Sequence, residues 1–141
     1  MSGSCIVGLD YGSRRIGVAI SDTQKKIAFS LDVIHRHGDS YGLKRLKKLL
    51  GDRKIEMFVV GVPLRENGEL SEEGSKVLRY VESLKSYFDL EVITWDESYT
   101  TLEAERTLIS SGLTREQRKK VIDKESAQII LQSYLDHVYK K

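Results

Sequence analysis

The stretch Ile6-Val-Gly-Leu-Asp-Tyr-Gly-Ser-Arg-Arg-Ile-Gly-Val-Ala-Ile-Ser-Asp22 limits the folds open to this chain more than any other part of it. Its first half is apolar up to Asp10. Its second half alternates Ile16, Val18 and Ile20 with Gly17, Ala19 and Ser21, the period of a β-strand. Two short strands joined by a Gly-containing turn are therefore expected. The same period puts Ile6, Gly8 and Asp10 on one face of the first strand. Gly8 carries no side chain, so another element can approach the sheet beside Asp10. A carboxylate at the mouth of a buried strand results, with Gly12, Arg14 and Arg15 just beyond it. An Asp before a Gly turn is also an ordinary turn residue that bonds its own backbone. An Asp-x-Gly turn before a small apolar strand is, in addition, how actin-like ATPases hold phosphate.

Chain length weighs against the ATPase reading, because 141 residues suffice for one domain and actin-like ATPases close two around the nucleotide. A single domain over residues 1–141 is expected. With 31% charged and 40% hydrophobic residues, the composition is that of an ordinary globular protein. The net charge of +2 neither demands nor excludes nucleic acid, so basic surface must come from local clustering. Cys5 is the only cysteine and sits in an apolar strand, which fits a structural thiol and rules out an internal disulfide. No apolar run reaches the length of a membrane span, and the N-terminus lacks the pattern of a signal peptide, so a cytoplasmic location without membrane association is expected.

The remaining elements follow in turn. A third strand, about Ile27 to Ile34, has the one-sided pattern of an edge strand. His35 and His37 lack a third ligand nearby and read as a solvated loop. Ser40 to Leu50 reads as a helix whose Leu43, Leu46, Leu49 and Leu50 share a face; its Lys and Arg residues read as a solvated surface. Met57 to Val62 is almost continuously apolar, as in a strand covered on both faces, and stops at Pro63. Ser71 can cap the next helix, with Val77, Val81, Leu84 and Phe88 as its buried stripe. A fifth strand, about Leu90 to Trp95, ends in Asp96-Glu97, two acids that point to opposite faces. Thr100 and Glu103 fit a capping box at the start of a helix that Gly112 stops. Thr114 to Lys120 is a basic segment, read as a short helix. The last helix is expected from about Asp123, with Ala127, Ile130, Leu131, Tyr134 and Val138 as its apolar stripe.

Three strands, helix, strand, helix, strand, then helices is the order of the ribonuclease H-like fold. That α/β fold is a five-stranded mixed sheet, three antiparallel strands plus two parallel ones, with helices on both faces. Its first strand is central and next to the fourth, and its crossovers bring the carboxyl ends of strands one, four and five to one edge. Asp10, Glu97 and Asp123 converge on that arrangement. Two carboxylates about 4 Å apart repel by about 4 kcal/mol at an effective dielectric near 20, so such a cluster needs protons or a divalent cation. Oxygen donors without thiolate favour Mg²⁺ or Mn²⁺, and such ions can activate water against a phosphodiester.

Four segments then resemble the RuvX (YqgF) family, bacterial relatives of the RuvC resolvases. They are Gly8 to Asp22, Val59-Val-Gly-Val-Pro63 with Gly68, Trp95-Asp-Glu-Ser-Tyr-Thr-Thr101, and Asp123 through Asp136. They stand in family order over nearly the whole chain. The resemblance implies a nuclease that helps mature the 5′ end of pre-16S rRNA, with Holliday-junction resolution as the alternative, or a catalytically weak nucleic-acid-binding module. It carries over Asp10, Glu97 and Asp123 as metal-binding catalytic acids. Arg14, Arg15 and Lys124 are the expected phosphate contacts, and a monomer is favoured. The chain departs from the family where Ser98 and Tyr99 follow Asp-Glu in place of Arg and an apolar residue; Arg106 or Arg65 is the candidate replacement. Ser126 stands where Ala is common.

Overall fold

The structure is a computed structural model, and the residues described are 3–37, 41–63, 67–97 and 106–139, with the side chains of 121–124 excepted. Five strands form one mixed sheet in the order β3-β2-β1-β4-β5. They are β1 (Cys5–Tyr11), β2 (Arg15–Ser21), β3 (Ala28–His35), β4 (Ile55–Val62) and β5 (Glu91–Asp96). Strands β1, β2 and β3 are an antiparallel meander, while β4 pairs parallel with β1 on one side and with β5 on the other. The expected mixed sheet is therefore present, with the Asp10 strand at its centre and β3 at an edge.

Helices cover both faces. Helices α1 (Leu43–Leu50) and α2 (Glu72–Phe88) close the face that buries Val7, Leu9, Ile16, Phe58 and Val60. Ser71 caps α2 as expected, its Oγ accepting from the Gly74 N–H at 2.9 Å. Val77, Val81 and Leu84 are buried, whereas Phe88 is only half-buried; Tyr80, outside the expected stripe, is as fully enclosed as Leu84. Residues 106–110 are helical, and Gly112 follows at φ 79°, the left-handed conformation that ends a helix. The expected capping box at Thr100 and Glu103 lies outside the described residues.

Two corrections concern the C-terminal third. The basic segment is a longer helix than expected, α3 (Arg115–Lys124). A reciprocal cap starts it: the Gln117 N–H donates to Thr114 Oγ1 at 3.2 Å, and the Thr114 N–H donates to Gln117 Oε1 at 2.9 Å. The backbone at Asp123 accordingly lies in the last turn of α3, not at the start of the final helix. That helix, α4 (Ser126–Val138), begins after Glu125 leaves helical geometry at φ −109°, ψ 19°. Ala127, Ile130, Leu131 and Tyr134 are buried as expected, together with Leu135, but Val138 is 39% exposed because the helix by then has run past the sheet. Among the described residues no helix is long and apolar enough to cross a membrane.

Helix α4 sits unusually low on the sheet. A Cβ built on Gly8 would lie 2.6 Å from the Cβ of Leu131, and one on Gly61 would lie 2.5 Å from Ile130 Cδ1. At Gly8 the neighbours are the Leu131 Cβ and, at 3.1 Å, the Ala127 carbonyl, so glycine there sets the depth of the helix; at Gly61 the neighbour is the movable tip of Ile130. Gly8→Val should force α4 off the sheet and cost about 1–3 kcal/mol, the usual penalty of overpacking. Urea unfolding of the variant beside the parent chain measures it, with an unchanged midpoint as the contrary result.

Candidate active site

Period two brings three rows of side chains to the α4 face: Ile6, Gly8 and Asp10 from β1; Met57, Val59 and Gly61 from β4; Ile93 and Trp95 from β5, with Glu97 next in line. Because these strands are parallel neighbours, the carboxyl ends of all three rows reach the same edge. There the glycines matter again. Gly61 leaves the space that Glu97 fills, since a Cβ on it would be 2.9 Å from both Glu97 Cγ and Oε1. Gly17, paired with Asp10 across β1 and β2, similarly leaves room for Ala127.

The Asp10 and Glu97 side chains reach the same place, where both line the two clefts at this edge. Burial, reinforced by the neighbouring Asp10 carboxyl and by the nearby Asp96, pushes the Glu97 carboxyl up to about 8. Asp10 is also held from the other side: the Ser126 hydroxyl donates to its Oδ2 at 2.6 Å. Ser126 opens α4, so the carboxylate stands at the positive end of a helix. The residue that differs from the family's usual Ala thus orients the central acid.

The wall beside the acids is braced by Arg36. Its guanidinium Nη1 donates to the carbonyls of Gly12 at 2.8 Å and Ser13 at 3.1 Å, and the group lies 4.5 Å from the ring centroid of Tyr11. Tyr11 stacks in turn on buried Tyr80, centroids 4.3 Å apart. The turn following Asp10 is thereby tied to β3 and α2. Nothing in the spacing of Arg36 marked this role, which depends on the antiparallel pairing of β2 with β3.

The sequence-predicted residues fare differently. Asp10 and Glu97 are brought together. The side chains of Asp123 and Lys124 lie outside the described residues, as do Ser98 and Arg65. Arg15 lines a cleft that ends at the acids, whereas Arg14 and Arg106 are exposed and line neither cleft there. Among the described residues no group of three His, Cys, Asp or Glu side chains could hold a metal ion. The pair alone is a set of hard oxygen donors whose mutual repulsion a divalent cation would relieve in place of the proton, so it fits such an ion as two of its ligands.

A mixed sheet of this order, with Asp10 at the carboxyl end of its central strand and Glu97 beyond that of β5, has the ribonuclease H-like fold. The chain belongs to the RuvX family, described as Holliday junction resolvases, whose model matches residues 4–137. A relative from Thermoanaerobacter pseudethanolicus, named "Putative pre-16S rRNA nuclease", is 46% identical over 93% of this chain and 95% of its own. A second of the same name, from Desulforamulus reducens, is 43% identical over 93% and 96%. Among solved structures, Thermus thermophilus RuvC in complex with a Holliday junction substrate superposes with a TM-score of 0.63 at 15% identity, covering 97% of this chain and 96% of that one. The fowlpox virus Holliday junction resolvase gives 0.51 at 13%, covering 95% and 99%. At those identities the likeness is one of fold.

The raised Glu97 has a consequence for stability. Between pH 4.5 and about 8 the folded chain holds a proton there that the unfolded chain has lost, so stability falls as pH rises through that window. Glu97→Gln removes the ionising group and should flatten the decline, leaving the variant more stable than the parent at pH 9 in EDTA by on the order of 1–3 kcal/mol. Parallel unfolding curves at pH 5 and 9 decide it; identical pH dependence in the two chains is the adverse outcome.

Proposed function

We propose that this chain is a divalent-metal-dependent nuclease, with Mg²⁺ or Mn²⁺ as the ion, that hydrolyses phosphodiesters in the 5′-end processing of pre-16S rRNA. The observation that carries the reading is the Asp10–Glu97 pair, two carboxyl groups brought together where both clefts meet. Forcing two carboxyl groups together costs stability, and a fold retains such an arrangement when a cation or reaction uses it. The names of the relatives at 43–46% identity supply the choice of pre-16S rRNA.

Asp10 and Glu97 would hold the ion, with Asp123 as third ligand on α3. A bound divalent ion supplies Lewis-acid activation of water and stabilises the leaving oxygen. The chain's own groups do the rest. Ser126 fixes the rotamer of Asp10. Arg36 and Tyr11 keep the turn beyond Asp10 rigid, which holds the acids at one position relative to an incoming phosphate. Arg15 contacts the phosphate backbone from its cleft, with Lys124 and the turn residue Arg14 as further contacts. The chain acts as one domain, residues 1–141, as a monomer in the cytoplasm where ribosomes are assembled.

Asp10→Asn should lower cleavage at least about 100-fold while shifting the melting temperature little, because Asn can still accept from Ser126 and meet Glu97. The assay is pre-16S rRNA and a synthetic four-way DNA junction side by side, with Mg²⁺ or Mn²⁺, for both chains. Cleavage of the RNA alone supports the reading. Paired cuts in the junction alone would assign the chain to the resolving activity for which the family is described. Undiminished cleavage by the Asn variant would remove Asp10 from the chemistry.

A further inference from the structure

Helix α1 reads Leu-Lys-Arg-Leu-Lys-Lys-Leu-Leu over Leu43–Leu50, four cations and no acid. The chain as a whole is only +2; without this helix 19 basic residues stand against 21 acidic ones, a balance of −2. Lys44, Arg45, Lys47 and Lys48 are all exposed, and none has an ion pair among the described residues. Asp52, just beyond the helix, pairs with none of them. The weak excess of positive charge in this molecule is therefore gathered on one helix face, as a surface for a polyanion requires.

Helix stability does not account for this. Lys47 and Lys48 in the last turn suit the helix dipole, but Lys44 and Arg45 stand in the first turn, where the dipole disfavours cations and no acid offsets them. Helix α2 follows the rule, with Glu72 and Glu73 in its first turn and Lys85 in its last. On α1 like charges also meet at three- and four-residue spacings, Lys44 with Lys47 and Lys48, and Arg45 with Lys48, each a mildly unfavourable pair. Leu46 and Leu50 are the residues that fix the helix to the core. None of its leucines is exposed, so the outer face lacks the apolar anchor that a protein partner or a lipid surface would use.

The helix starts at the edge of the sheet that carries the acids. Tyr41, two residues before it, lines a cleft shared with Asp10 and Glu97. Arg45 Nη1 donates to the His35 carbonyl at 2.5 Å, and the next residue, Arg36, lines the same cleft. From there α1 runs toward the opposite edge, which the chain has reached at Lys54, where the Cys5 N–H at the start of β1 donates to its carbonyl. We infer that α1 is a track for the phosphate backbone of the RNA: the strand leaving the Asp10–Glu97 pair runs along Lys44, Arg45 and Lys48, which neutralise phosphates without reading bases. This rests on the nuclease reading for placing RNA at the acids and adds the direction in which the substrate leaves them.

The test is fluorescence anisotropy in EDTA, which prevents metal-dependent cleavage, with a labelled pre-16S rRNA fragment spanning the mature 5′ end and an unrelated RNA of equal length. Lys44→Glu/Lys48→Glu should weaken both RNAs about 10-fold or more at low salt and lower the salt slope by about 1.4–1.8, the loss of two phosphate contacts. Lys26→Glu/Lys85→Glu, the same charge change on the β2–β3 hairpin and at the far end of α2, should cost less than about 2-fold. Equal losses in the two variants, or none on α1, would overturn the inference. Lys44→Glu alone should weaken RNA binding while the urea midpoint holds or rises, because an acid suits the first turn better. A lowered midpoint with unchanged RNA affinity would assign Lys44 to the fold and count against the track. Lys44→Ala/Lys48→Ala replaces the double Glu variant should that one misfold. Hydrolysis of bis(p-nitrophenyl) phosphate by the parent chain in Mn²⁺ reports separately on the nuclease reading, so either can fail without the other.

Discussion

The depth at which α4 rests on the sheet governs the rest of this structure. Gly8 on the central strand, with Gly17 beside it, lets the helix approach to where a side chain at Gly8 would collide with Leu131 and one at Gly17 would press on Ala127. That approach brings the Ser126 hydroxyl within 2.6 Å of Asp10. The gap over Gly61 in turn receives the Glu97 side chain. Packing and chemistry meet here, because the helix these glycines admit is the one that carries the Ser126 hydroxyl to Asp10.

Electrostatics then acts on what packing assembled. Two acids set against each other repel unless something neutralises their charge, and burial with Asp10 beside it raises the Glu97 carboxyl. The helix terminus, the hydroxyl of Ser126 and the basic residues of the neighbouring clefts all oppose the negative charge, yet none touches both acids as a cation would. Arg36 adds stiffness, its Nη1 bridging the Gly12 and Ser13 carbonyls.

Much of this was legible in the sequence. The alternation in β1 and β2 yielded the strands, the face of Asp10 and the meaning of Gly8. The acid ending β5 could be matched to Asp10 only through the order of the elements. Local pattern failed where tertiary geometry decided. Asp123-Lys124-Glu125 is polar and helix-compatible, so the break at Glu125 between α3 and α4 left no mark in it. Tyr80 was not named in the stripe expected for α2, yet it stacks in the core under Tyr11. Ser126 was visible only as a departure from Ala; its use to Asp10, from 116 positions away, appears once the chain is folded. Gly61 was read as part of an apolar strand, and its vacancy for Glu97 required knowing which parallel strand lay next door.

That separation along the chain bears on the birth of the protein as well as on its work. The acid pair unites the first strand with the residue after the last, and the serine that steadies it arrives on the final helix. A polypeptide emerging from the ribosome in order holds Asp10 long before it has a partner for it. The pair therefore cannot form on a half-made chain, and it assembles only once β5 and α4 have left the ribosome.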